Sequence, residues 1–180
     1  MKHSIIIYGS QYGTTKRYAE RLSDITGIKC VSRKEAKGIN DYERVIYMGG
    51  LYAGSVFGLK KLAATLTNQE LVIVTVGLVN PQDKENIKYV RGNIKSQIAN
   101  RLYDEDKIFH LRGAIDYSTM GIKHKLMMSF MHHRLSKMPE EKLNAESKTI
   151  LETYGKTVDY VDFDTLQPIV DALLSVSDVS

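Results

Sequence analysis

The sequence predicts an α/β fold, a doubly wound five-stranded parallel sheet (order 2-1-3-4-5), with a helical insertion before the last helix. Three observations carry this. Short apolar runs at residues 5–8, 45–48 and 71–76 are rich in β-branched residues and lack polar alternation, the pattern of strands buried on both faces. Segments of helical periodicity lie between such runs, so strands and helices alternate. The chain has 180 residues, 43% of them hydrophobic and 26% charged, which suits one soluble domain spanning residues 1–180.

The elements follow in order. Residues 5–8 form the first strand, closed by Gly9. Tyr18, Leu22 and Ile25 then recur at helical spacing, with Arg17, Glu20, Arg21 and Asp24 elsewhere. Residues 28–32 read as a weaker second strand, and 33–42 as a polar connection. Residues 45–48 form the third strand, closed by Gly49 and Gly50. Leu59, Leu62, Ala63 and Leu66 mark a short helix. Residues 71–76 give the strongest strand signal. Residues 83–102 give the strongest helix signal: Ile87, Val90, Ile94, Ile98 and Leu102 form a stripe, with Pro81 just before it. Residues 108–111 form the fifth strand, and 166–176 a closing amphipathic helix. The insertion between them, about residues 118–160, is far longer than a usual connection.

Composition narrows the classes. One cysteine, Cys30, makes neither an internal disulfide nor a cysteine-rich metal site. No apolar run approaches the roughly eighteen residues of a membrane span. The apolar stretch at residues 5–7 is too short for a signal peptide. The expected setting is therefore the cytoplasm.

In such a fold, ligands bind beyond the carboxyl ends of the strands. After the first strand come Gly9, Ser10, Gln11, Tyr12, Gly13, Thr14 and Thr15. Two glycines, three hydroxyl side chains and a helix start form an anion cradle. The same residues also read as a turn whose glycines serve chain geometry and whose threonine caps the helix. The loop is neither a Walker A sequence nor G-x-G-x-x-G. After the third strand come Gly50, Leu51, Tyr52, Ala53 and Gly54, able to approach a flat ring closely. Gly77 and Asn80 follow the fourth strand; Gly113, Asp116 and Tyr117 follow the fifth.

Ser10, Gly13 and Thr15 match the phosphate loop of the flavodoxins: a small hydroxyl residue, two further residues, then Gly-x-Thr. The chain resembles that superfamily, and Tyr12 departs from the threonine many members carry. The resemblance implies a flavodoxin-like fold and flavin mononucleotide (FMN) as cofactor. It implies phosphate at residues 10–15 and the ring between residues 50–54 and 113–117. It also implies a backbone group at Gly49-Gly50 that flips on flavin reduction. The order of parts is similar to the menaquinone-dependent protoporphyrinogen oxidase family, through the first loop, residues 109–117 and residues 123–128. That similarity implies an FMN-dependent, quinone-linked oxidoreductase with a tetrapyrrole-like substrate. The alternative is a flavodoxin-type electron-transfer protein whose partner is a redox protein. A third reading is a domain that no longer binds flavin.

The insertion bears on this choice. Residues 112–137 carry a net charge of +4 and four of the seven methionines. Met120, Met127, Met131, Leu135 and Met138 can share one helical face, with His124 near it and Lys125, Ser129, His132, His133 and Ser136 elsewhere. Such a face suits a flat apolar partner, or packs on its own domain. A sequence pI near 9.0 has the wrong sign for a carrier that docks on basic proteins. It suits anionic tetrapyrroles, or peripheral contact with the inner face of the membrane, where quinones reside.

Other classes fit less well. A receiver domain needs acids at the end of the first strand, and residues 2–10 have none. No G-x-S-x-G hydrolase motif is present. His132 and His133 point about 100° apart on a helix and do not grip one metal. The basic segment has only Tyr117 and Phe130 as aromatics, so nucleic acid is not expected.

Overall fold

The computed structural model describes residues 2–52, 54–143 and 145–175. The elements in chain order are β1 (Ser4–Gly9), α1 (Thr14–Thr26), β2 (Cys30–Ser32), β3 (Arg44–Tyr52), β4 (Ser55–Val56), α2 (Leu59–Ala63), β5 (Glu70–Gly77), α3 (Lys84–Gln97), β6 (Ile108–Arg112), β7 (Ala114–Asp116), α4 (Ile122–Ser136), α5 (Ala145–Thr153), β8 (Thr157–Asp159) and α6 (Gln167–Leu174). Five strands pair in parallel in the order β2-β1-β3-β5-β6. This is the expected 2-1-3-4-5 arrangement, with β4 added as a short antiparallel partner of β3.

Strand side chains alternate between faces, so a sheet covered on both sides needs apolar residues at every position. Ile5, Ile7, Val45, Tyr47, Leu71 and Ile73 pack on one face beneath α2 and α3. Ile6, Ile46, Met48, Val72, Val74 and Val76 pack on the other beneath α1 and α6. Each such buried side chain contributes about 1.5–3 kcal/mol. The buried Tyr18 of α1 ties the second layer together: its hydroxyl donates to the Arg112 carbonyl (2.8 Å) and accepts from the Asp162 amide (2.9 Å).

The end of the sheet away from the loops holds an ion cluster built around a buried arginine. Arg44, 1% exposed, donates from Nε to Glu70 (3.1 Å) and from Nη1 to the Leu173 carbonyl in α6 (3.1 Å). Lys2 and Lys107 also reach Glu70. Burial alone would raise the Glu70 carboxyl, but hydrogen bonds from Lys2 and Arg44 and the charges of Arg44 and Lys107 outweigh it. They hold it at about 2.

Several expectations change. Ile25 is 45% exposed, and Ala19 takes its place in the core beside Leu22. α3 ends at Gln97, because Ile98 is extended and Leu102 lies in a separate 3-10 turn. Both still bury against the same cluster, which is why the apolar stripe ran through the break. β3 does not stop at Met48: Gly49 and Gly50 pair with Thr75 and Val76, and the strand runs on to Tyr52. Glycine is required at Gly9, where a Cβ would sit 2.8 Å from the Phe57 carbonyl and 2.7 Å from the Tyr47 hydroxyl. The insertion is not purely helical. It returns as β8, which pairs antiparallel with β7 in a second small sheet. The last helix is shorter than residues 166–176: a 3-10 turn, Phe163–Leu166, leads into α6, and Val176 lies outside the described residues.

Candidate functional site

The carboxyl ends of β1, β3, β5 and β6 open into one pocket of about 230 Å³, roofed by the insertion. Its floor and walls include Ser10, Tyr12, Thr14, Thr15, Gly50, Leu51, Tyr52, Gly54, Gly77 and Gly113. These ten predicted residues come from the carboxyl ends of four different strands, and the parallel sheet brings them together. α4 and α5 add Met127, Met128, Met131, Glu146 and Ile150.

At the first loop, Gly13 sits at φ 88°, the left-handed region that favours glycine, and starts α1. Its amide donates to Ser10 Oγ at 3.0 Å, which fixes the turn. α1 has no side-chain cap among the described residues and no acid in its first turn. The Thr14, Thr15 and Lys16 amides therefore lack intrahelical partners and lie at the positive end of the helix dipole. Thr15 is 3% exposed, and Thr14 Oγ1 donates to the Ala114 carbonyl at 3.3 Å. The loop has the donors an anion needs, and the helix start is left open to one.

The second wall is a β3–β4 hairpin and not a loose loop. Gly50 lines the pocket from within β3, and its carbonyl already accepts the Phe57 amide (2.9 Å). The flipping group expected at Gly49-Gly50 is corrected accordingly, because that backbone is paired on both sides. The turn peptide at Gly54, φ 73°, is instead the one held from the insertion. Its amide donates to Glu146 of α5 and its carbonyl accepts Asn93 Nδ2, each at 3.1 Å. Ala53 lies outside the described residues.

Five of the predicted residues do not line the pocket. Gln11 is exposed on the first loop. Gly13 shapes that loop from behind. Asn80 is exposed, and its side chain accepts the Gln82 amide in the turn before α3. Asp116 lies in β7, where Ser118 and Thr157 donate to it and hold its carboxyl down at about 2. Tyr117 is buried behind the pocket against Tyr154 and Met128, with no hydrogen-bond partner for its hydroxyl among the described residues. The local cause is β7: residues 114–116 form a strand where a ring-binding loop was expected.

Burial pushes the Tyr12 phenol up, and the Tyr52 and Tyr117 phenols up to about 12. At neutral pH these groups are hydrogen-bond donors and not bases. His110 is pushed down to about 4, by burial and then by the Arg91 charge. It lies against Thr75 (2.8 Å) and accepts from Arg91 Nε (3.3 Å), so it serves the core.

The roof is anchored by rings. His124 meets Tyr12 edge-on (5.4 Å), and His132 stacks on Tyr154 (4.0 Å). The buried side of α4 is thus His124, Met128, Met131, His132 and Leu135. Of the face expected from the sequence, Met131 and Leu135 turn inward with His124, and Met127 lines the pocket margin at 47% exposed; Met128 and His132, left outside that face, join them. A 3.6-residue period allows both phases, because Ile122, Leu126, Met127 and Phe130 are also apolar. The roof residues Glu146, Thr149 and Ile150 carry no signal in the sequence beyond the length of the insertion. Among the described residues no cluster could hold a metal ion, and no helix is long and apolar enough to cross a membrane.

The chain is similar over 62% of its length to a Bacteroides eggerthii protein described as a flavoprotein, at 12% identity, 86% coverage of that chain and a TM-score of 0.44. It is similar over 65% of its length to a lysine-to-glycine variant of Fusobacterium nucleatum flavodoxin bound to FMN, at 17% identity, 79% coverage of that chain and a TM-score of 0.38. No curated protein matches it. The family model described as the flavodoxin domain matches residues 5–142, from β1 through the roof helix α4. Over three quarters of its length, with the first loop inside the match, the chain belongs to the flavodoxin domain family.

Proposed function

We propose that the protein binds FMN in this pocket and acts as an oxidoreductase on a flat small molecule of quinone or tetrapyrrole type. FMN supplies one- and two-electron exchange when bound. The residues present fit it: an uncapped helix start with hydroxyls at Ser10, Thr14 and Thr15 for a phosphate, and glycines at 50, 54, 77 and 113 beside an apolar space. Tyr12 and Tyr52, neutral at physiological pH, supply ring faces and donors.

The observation that carries the substrate class is the roof. Met127, Met128, Met131 and Ile150 cover the pocket in which an FMN ring would lie. A carrier that passes electrons directly to proteins needs that ring edge open, whereas deformable methionines suit a flat guest. The position and basic character of the insertion support the protoporphyrinogen-oxidase-like reading over the electron-carrier one.

Two measurements test the proposal. Thr15→Val is expected to weaken FMN by about 1–2 kcal/mol, the low end of the range for a hydrogen bond to a charged group, and leave riboflavin unchanged. Fluorescence titration of both ligands reads this, and equal weakening makes Thr15 a structural residue of the helix start. In stopped flow, FMN-loaded protein reduced with dithionite is expected to be reoxidised by a soluble quinone faster than by an oxidised redox protein. Met131→Glu, which puts a charge in the roof, is expected to slow the quinone reaction selectively. Rapid exchange with the redox protein alone establishes the carrier instead.

A further inference from the structure

With His124, Met128 and Met131 turned inward, α4 presents a second apolar stripe outward. Ile122, Leu126 and Phe130 are 86%, 71% and 69% exposed. At spacings of four residues they line up along about 12 Å of one helix side. Packing within the protein does not account for them.

The flanks are basic. Lys123 and Arg134 lie on one side of the stripe, Lys125 on the other, and Lys137 just past the end of the helix. No acid occurs between Asp116 and Glu140. Among the described residues none of these four cations is in an ion pair; Lys125 Nζ donates only to the Ser118 carbonyl, at 3.3 Å. We propose that this face docks the protein on a bilayer surface rich in anionic headgroups, with α4 lying in the interface plane.

Three arguments select this occupant. Lysine stems lie beside the apolar stripe and let their ammonium heads reach headgroup phosphates while Ile122, Leu126 and Phe130 insert. A second copy of the chain is disfavoured, because a two-fold contact would set this patch against itself and bring like charges together. A protein partner fits poorly, because three side chains offer on the order of a few hundred Å², below the roughly 800 Å² per partner of a stable interface, and lysine is depleted there. The docking stands independently of the proposed function. Its consequence rests on that reading: the helix that meets lipid also walls the pocket, so a lipid-soluble substrate has a short route inward.

The test is co-sedimentation of the purified full chain with phosphatidylcholine vesicles, with and without phosphatidylglycerol. Binding is expected to the anionic vesicles only, and to fall as salt rises. Leu126→Asp and Phe130→Asp are each expected to lower partitioning about tenfold or more. Replacing Lys123, Lys125 and Lys137 by Gln is expected to cost about fivefold per charge. Ile25→Asp, on α1 away from this face, serves as the control and is expected to leave binding unchanged. Circular dichroism checks the fold of each variant. Equal binding to neutral vesicles, no binding to either, or undiminished binding by Phe130→Asp overturns the proposal. So does a concentration-dependent dimer that Phe130→Asp abolishes, which assigns the face to a second copy.

Discussion

Replacing Glu70 by leucine is expected to cost about 3–5 kcal/mol of folding stability, read from urea unfolding. The reason is what remains behind. Arg44 is 1% exposed, and Glu70 is its one carboxylate partner among the described residues. Without Glu70 a buried guanidinium keeps only the Leu173 carbonyl. Replacing both residues, Arg44 by Met and Glu70 by Leu, is expected to recover most of the loss, since neither charge is then stranded. If the single variant unfolds like the parent, the cluster is solvated and the burial is wrong. A pH series gives the sign independently. The Glu70 carboxyl is held at about 2, against 4.5 for the free group. Its stabilisation is therefore full above about 4.5 and is lost as pH falls toward 2. Glu70→Gln is expected to flatten that acid limb and leave the neutral-to-alkaline limb unchanged.

FMN is expected to bind at least about a hundredfold more tightly than riboflavin, the scale of two hydrogen bonds to a charged group at about 1.5–3 kcal/mol each. The two ligands share the ring and differ in the phosphate. The start of α1 offers three unpartnered amides and the Thr15 hydroxyl, with no acid in the first turn to repel the anion. Flavin fluorescence quenching gives both constants. Equal affinities sink the phosphate assignment and leave the first loop as a turn that serves the fold.

Much of the fold is legible because its signals are local. A strand covered on both faces must be apolar at every position, so residues 5–8, 45–48 and 71–76 announce themselves. Two glycines and three hydroxyls before a helical stripe announce the turn into α1. The errors fall where local chemistry permits two answers. Gly49 and Gly50 look like a strand end, yet they continue β3 by pairing with Thr75 and Val76, and at Gly49 a Cβ would collide with Val56. Asp116 and Tyr117 look like a ligand loop, yet β8 arrives from about forty residues later, makes residues 114–116 a strand and leaves Tyr117 in the turn after it.

The sequence by itself determined the parallel sheet, its order, the family-type first loop and the presence of a basic, methionine-rich insertion. Only the tertiary structure decided which side of α4 faces in, that α5 reaches Gly54 through Glu146, and that Asp116 and Asn80 serve turns. The physical reason is that α4 is apolar around most of its circumference. Its periodicity therefore fixes a helix and not an orientation, and the choice falls to long-range contacts: His124 on Tyr12, His132 on Tyr154 and Met128 in the cluster behind the pocket.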